Sequence, residues 1–108
     1  MTTRNDSMDD GIMILPTIHT NGTSAEDLRD GYLDACRAVC VAMDAMRTIE
    51  FNARDYYPQG QDAWRQAEAE QRARYDALQT IANELHSVVE HCQNAIDEKE
   101  ARRKERAA

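Results

Sequence analysis

The chain has 108 residues, a formal net charge of −7 at pH 7, and only four glycines and two prolines. This length allows one domain at most, and the alanine-rich, charge-rich composition favours helix over sheet. The acidic balance argues against general nucleic-acid binding, which needs a basic surface, and no apolar run approaches the roughly 20 residues of a membrane-spanning helix.

The first eleven residues are polar and acidic and have no hydrophobic period, which predicts a disordered segment over 1–11. They also lack the basic start and the apolar stretch of a secretory signal peptide, so we expect a cytoplasmic protein. In that compartment the three cysteines are expected to be buried free thiols rather than a disulfide framework.

A short apolar run from Ile12 to Ile18 follows, interrupted by Pro16. The run is too short for a helix of ordinary length, and proline removes a backbone donor, so we predict an extended arm, with the helix cap after it, over 12–24. Its apolar side chains must lie against the chain's own helices or against a second chain. We favour the second arrangement, in which hairpins exchange their arms.

Turn and cap residues connect the arm to the first helix. Asn21-Gly22 predicts a turn with left-handed backbone freedom. Thr23 with Glu26 fits a capping box, and Ser24 with Asp27 offers the same device one residue later. A well-made cap is the plainer interpretation. The alternative is an anion or ligand site on the free helix amides, whose candidate binding residues are His19, Asn21 and Thr23.

Apolar residues at intervals of three and four predict a first helix over 25–51 that packs along another helix. Its predicted seam is Leu28, Tyr32, Ala35, Val39, Ala42, Met46 and Ile49. A second apolar row is formed by Leu33, Cys36, Cys40 and Met43. The two rows together are wider than one antiparallel helix can cover. We expect this first helix to end near Asn52 in a left-handed cap.

A bend is predicted over 52–61, because Tyr57-Pro58-Gln59-Gly60 has proline and glycine in favoured turn positions. Charged and aromatic side chains gather at this bend. One interpretation is a self-packed bend, with Arg54 paired to Asp55 or to a helix end and the tyrosines packed over the tip of the hairpin. The other is a recognition loop that contacts a ligand or a partner. The candidate binding residues of the bend are Arg54, Asp55, Tyr56 and Tyr57.

The second helix is predicted to begin near Asp62 and to run to Arg103 or beyond, with its hairpin part over 62–96. The sign-alternating segment 97–108 is predicted to be a charged C-terminal tail that is helical or frayed. The predicted seam is Gln71, Tyr75, Leu78, Ala82, Leu85, Val89, Cys92 and Ile96, with Trp64 and Ala67 before it. The predicted fold is therefore all-α: an antiparallel, coiled-coil-like two-helix hairpin over 25–96 with an extended N-terminal arm. We expect oligomerisation, to a dimer or higher, to complete it.

The loop segments I-H-T-N-G-T-S at 18–24 and N-A-R-D-Y-Y-P-Q-G at 52–60 carry a family resemblance. With Leu15-Pro16-Thr17 and the helices between, they resemble small helical proteins encoded in tailed-phage and prophage genomes, over about residues 15–92. The resemblance implies a viral accessory protein in the host cytoplasm. By analogy with phage accessory proteins as a class, the resemblance favours a protein that inhibits or sequesters a host factor.

No catalytic residue, metal ligand or cofactor is predicted. A bend flanked by Phe51 and Gln61 places Cys36 beside Asp76 and Cys92 beside Thr20, so Cys36 and Cys92 would be separated by roughly 24 Å of helix. One metal site cannot use both thiols. The sequence also lacks a glycine-rich phosphate loop, a paired-acid signature and a dinucleotide fingerprint.

Association is the leading hypothesis: a non-enzymatic, homo-oligomeric accessory protein that acts through contacts with an unidentified protein partner. One alternative is an oligomeric sponge that sequesters a nucleotide-like defence signal, with Arg29, Arg37 or Arg54 holding phosphate. Another is a minor virion or assembly component.

Overall fold

The computed structural model describes residues 13–107, so the predicted disordered segment 1–11 and Ile12 of the arm lie outside the described residues. The fold is an all-α helical hairpin with an N-terminal arm, as predicted. Two α-helices are joined by a bend that contains two short 3₁₀ helices. In chain order the elements are α1 (Ala25–Arg47), the 3₁₀ helices Ala53–Asp55 and Tyr57–Gln59, and α2 (Gln61–Ala107).

The described chain divides into two compact units. The first, here called the arm unit, combines the chain up to Tyr32 with the segment that starts at His86. The second, here called the bend unit, is Leu33–Leu85. Neither α1 nor α2 contains, within the described residues, an apolar stretch long enough to cross a membrane.

In the arm unit, the chain from Met13 to His19 has no regular secondary structure, as expected of an extended arm. It lies against its own chain, because the Pro16 carbonyl oxygen is 2.7 Å from Nε2 of His91 on α2. Exchange of arms between hairpins involves a second chain and stays a prediction. The core of this unit contains Ala25, Val88, Cys92 and Ile96, all buried.

The start of α1 corrects two details of the prediction. Ser24, not Thr23, caps the helix: its Oγ accepts a hydrogen bond from the Asp27 amide at 3.0 Å. The left-handed freedom predicted for Asn21-Gly22 is not used, since within residues 13–107 only Gly60 has a positive φ. Glycine is favoured at position 22 because the His19 side chain leaves no room for a larger residue. A Cβ at this position would lie 2.8 Å from Nε2 of His19, which is too close for two non-bonded atoms.

In the bend unit, α1 is rotated from the predicted seam. Ala35 and Ala42, which were assigned to the seam, are exposed, whereas Cys36 is half-buried and Met43 is buried. The inward positions are taken by the larger side chains because they remove more apolar area from water than alanine does. The α2 seam is confirmed, since every one of its predicted residues is buried or half-buried.

The first helix is shorter than predicted, ending at Arg47 rather than at residue 51. The next two amides, of Thr48 and Ile49, bond to carbonyls three residues back, and the Thr48 hydroxyl donates to the Ala45 carbonyl at 2.8 Å. Asn52 is extended, with φ −139° and ψ 152°, so the predicted left-handed cap is wrong. At the other end α2 continues to Ala107, and its last turns are exposed.

The pairing register of the bend unit also differs from the prediction. Cys36 lies beside Ala82, its Sγ 3.6 Å from the carbonyl oxygen, rather than beside Asp76. Arg47, the last residue of α1, bonds through its guanidinium to the Tyr75 hydroxyl. The shift arises because the first turns of α2 pack against the bend, so α1 meets α2 only farther along.

Candidate functional site

Three aromatic rings form a cluster at the bend. The centroid of Phe51 lies 5.0 Å from that of Trp64 and 5.7 Å from that of Tyr56, and the Tyr56 and Trp64 centroids are 5.7 Å apart. All three side chains are half-buried, and each ring pair adds about 0.5–1.5 kcal/mol beyond its buried area. This aromatic cluster anchors the bend to the first turn of α2.

Short-range hydrogen bonds hold the backbone of the bend. The amides of Tyr56, Gln59 and Gly60 each bond at 2.9 Å to the carbonyl three residues before. Pro58 lies in the first turn of the second 3₁₀ helix, where its fixed φ fits and its missing donor is not needed. Gly60, with φ at 108°, then leads into α2, a conformation that favours glycine. The predicted four-residue turn is therefore present.

The adjacent tyrosines have opposite roles. Tyr56 packs into the aromatic cluster, whereas Tyr57 is 61% exposed. Arg54 and Asp55 are also exposed, and across residues 13–107 neither side chain takes part in an ion pair within 4 Å. The self-packed interpretation therefore describes Tyr56, while Arg54, Asp55 and Tyr57 point their functional groups to solvent.

Phe51 and Trp64 are the bend residues that sequence reasoning missed as a pair. Phe51 was assigned to the end of the first helix and Trp64 to the start of the second seam. The signal that could have found them was composition, because the chain has one Trp and one Phe, and both flank a predicted bend that holds two of the four tyrosines. Large aromatic residues placed this way commonly pack together.

The other predicted binding residues, His19, Asn21 and Thr23, lie in the turn before α1, and all are exposed. They form a turn closed by the bond from the Gly22 amide to the His19 carbonyl at 3.1 Å. This turn leads into α1. The side-chain cap of α1 comes from Ser24, the residue after Thr23.

Arg29 was a candidate phosphate ligand, but its guanidinium is already engaged. Nε bonds to Asp30 at 3.0 Å, and Nη1 bonds to Gln93 on α2 at 3.1 Å. A phosphate would have to displace a carboxylate and an amide, so Arg29 is a poor anchor for a nucleotide.

The three cysteines are free and differ in environment. Cys92 is fully buried, and burial raises the pKa of its thiol despite the lowering effect of Arg29. The pKa of the Cys36 thiol is also raised, by burial and by the neighbouring Cys40 thiol. Over the part of the chain that the structure describes, no group of three or more His, Cys, Asp or Glu side chains is placed to hold a metal ion.

The bend thus combines a fixed backbone with three free functional groups. Comparisons of the chain with protein-family models, with curated proteins and with solved structures find no match. The chemistry of the bend is therefore the starting point for assigning a function.

Proposed function

We propose that this protein acts without catalysis, by binding another protein through Arg54, Asp55 and Tyr57 at the bend. The observation that carries the proposal is the exposure of Tyr57 on a backbone fixed by the aromatic cluster beside it. A partner would not have to order this loop on binding. Such preorganisation lowers the entropic cost of association.

The three side chains specify a kind of partner surface. Tyrosine and arginine are the residue types that most often contribute large fractions of a binding energy. Arg54 suits a carboxylate, which its guanidinium can bind through two parallel hydrogen bonds, and Tyr57 suits a shallow apolar pocket with a polar rim. Asp55 requires a donor nearby on the partner, which adds selectivity through charge complementarity.

The setting we propose is the host cytoplasm, with the chain as a homo-oligomeric phage accessory protein that inhibits or sequesters a host factor. Support for this setting comes from the resemblance carried by the segments at 18–24 and 52–60, and from the thin hydrophobic core. Across residues 13–107 only seven hydrophobic side chains are buried. A core this small favours completion by a second molecule.

The test is affinity purification from a bacterial host lysate, followed by titration calorimetry with the purified candidate partner. The double variant Arg54→Ala with Tyr57→Ala should bind at least about tenfold more weakly, which is about 1.4 kcal/mol. Arg72→Ala is the matched control, since Arg72 is an exposed arginine on α2 and its loss changes the net charge by the same amount as the loss of Arg54. It should bind normally.

Circular dichroism of all the variants establishes that the helices are intact. A double variant that is folded and binds the same partner with unchanged affinity would contradict the proposal.

A further inference from the structure

Two cysteine thiols lie one turn apart on α1 in the bend unit. Cys36 and Cys40 are four residues apart, so their side chains are about 40° apart around the helix axis and their Cβ atoms about 5–6 Å apart. Cys36 is half-buried and Cys40 is exposed, and the two side chains are in hydrogen-bonding contact. This pair, here called the α1 dithiol, shares no residue with the proposed binding surface at the bend.

The neighbouring helix fixes one thiol of the pair. Sγ of Cys36 donates a weak hydrogen bond to the Ala82 carbonyl oxygen on α2, at 3.6 Å. Cys36 therefore lies at the junction of the two helices, whereas Cys40 is open to solvent. A small ligand can reach the pair from the side of Cys40 without opening the hairpin.

The spacing of the α1 dithiol does not suit a disulfide within one chain. A disulfide needs Cβ atoms about 3.5–4.5 Å apart, which is closer than positions i and i+4 of a regular helix allow. Both cysteines lie inside α1 (Ala25–Arg47), so closing that gap would distort the helix. An atom placed between the sulfurs removes the mismatch, because two metal–sulfur bonds of about 2.3 Å each span up to about 4.6 Å.

The number of donors selects the kind of ion. Zinc sites use three or four protein ligands, but among residues 13–107 no group of three or more His, Cys, Asp or Glu side chains is placed to hold a metal ion. Thiolates are soft ligands that favour Cu(I), and Cu(I) is stable with only two of them, one on either side. A pair of thiols without a third such donor therefore favours Cu(I) over zinc.

We propose that the α1 dithiol binds one Cu(I) ion between the sulfurs of Cys36 and Cys40. Each thiol loses its proton on binding, so Cu(I) and two thiols give a two-coordinate complex of charge −1 and two free protons, with no change of oxidation state. Burial and the neighbouring Cys40 thiol raise the pKa of Cys36, since a second negative charge there is unfavourable. A cation between the two sulfurs removes that repulsion and joins adjacent turns of α1.

The test is a competition between the full chain and bicinchoninate for Cu(I) under anaerobic conditions, followed by the absorbance of the copper–bicinchoninate complex. We expect the wild type to withdraw one Cu(I) per chain. Cys36→Ser and Cys40→Ser should each weaken binding at least about tenfold, because each leaves a single thiolate on this face of α1. An equal amount of Zn(II) should not displace the bound copper.

The matched control keeps two thiols and changes only their spacing. Cys40→Ser combined with Val41→Cys places the second sulfur five residues from Cys36, about 140° away around the helix, so it should bind as weakly as the single variants. Val41 is 67% exposed, so this change should have little effect on folding, which circular dichroism checks. Cys92→Ala removes the fully buried thiol and should bind copper as the wild type does.

Three results would overturn the proposal. Equal affinity in the spacing variant and the wild type would mean that any surface thiol holds the ion adventitiously. One ion per two chains would mean a site shared between copies, and displacement by an equal amount of Zn(II) would contradict two-coordinate binding. None of these results bears on partner binding through Arg54, Asp55 and Tyr57, so the two proposals fail separately.

Discussion

Nε2 of His91 lies 2.7 Å from the carbonyl oxygen of Pro16, joining residues 75 positions apart. Pro16 cannot donate a backbone hydrogen bond, but its carbonyl accepts one from the half-buried imidazole. The contact ties the arm to α2 within the arm unit. This hydrogen bond anchors the segment from Met13 to His19 to a helix.

Removing this contact should release the arm. We expect His91→Ala to lower the free energy of unfolding by about 0.5–1.5 kcal/mol, the usual net value of a hydrogen bond, and to speed hydrogen exchange in residues 17–19. His86→Ala is the matched control, because His86 is an exposed histidine of α2. Its Nδ1 lies 3.9 Å from a carboxylate oxygen of Glu90 on the same helix, a contact that does not involve the arm. Equal exchange rates in the two variants would show that the bond does not hold the arm.

The cap of α1 gives a second prediction. Ser24→Ala should cost about 1 kcal/mol in urea unfolding, because the Asp27 amide loses its acceptor. Thr23→Ala, one residue earlier, should cost much less, since Thr23 is exposed and the cap does not use it. If Thr23→Ala cost more stability than Ser24→Ala, the helix would be capped by the predicted box of Thr23 and Glu26 and not by Ser24.

The aromatic cluster should be the main source of stability at the bend. Trp64→Ala removes two ring contacts and should destabilise the protein by roughly 2 kcal/mol or more. Tyr57→Ala should stay within about 0.5 kcal/mol, because that ring is mostly exposed. Far-UV circular dichroism during urea unfolding measures both. If the two variants lost similar stability, the division of roles between Tyr56 and Tyr57 would be wrong.

The buried thiol should make stability depend on alkaline pH. The pKa of Cys92 is raised in the folded state, so the folded protein holds its proton after the unfolded chain has lost it. The associated stability is present below the ordinary thiol value of about 8.5 and is lost as the pH rises through the folded-state pKa. The urea midpoint should therefore fall more between pH 7 and pH 10 for the wild type than for Cys92→Ala. An identical pH dependence in both would exclude this linkage.

Much of the fold follows from local patterns in the sequence. The strict spacing from Gln71 to Ile96 predicted which side of α2 is buried, because apolar residues three and four apart share one helix face whatever the partner is. The turn at Tyr57 to Gly60 was equally readable, since proline and glycine restrict the backbone through their own covalent structure.

Only the tertiary structure decided how α1 is rotated, where it ends and which residue of α2 it meets. Either of two apolar rows could face the inside of α1. Met43 is buried and Ala42 is exposed, because Met43 removes more apolar area from water in this register. The register is set in turn by the packing of Phe51 and Tyr56 on Trp64, contacts between residues that no local period relates. The same packing left Tyr57 in solvent while burying its neighbour. A sequence lists the side chains that can pack, but their relative burial depends on distances that exist only once the chain has folded.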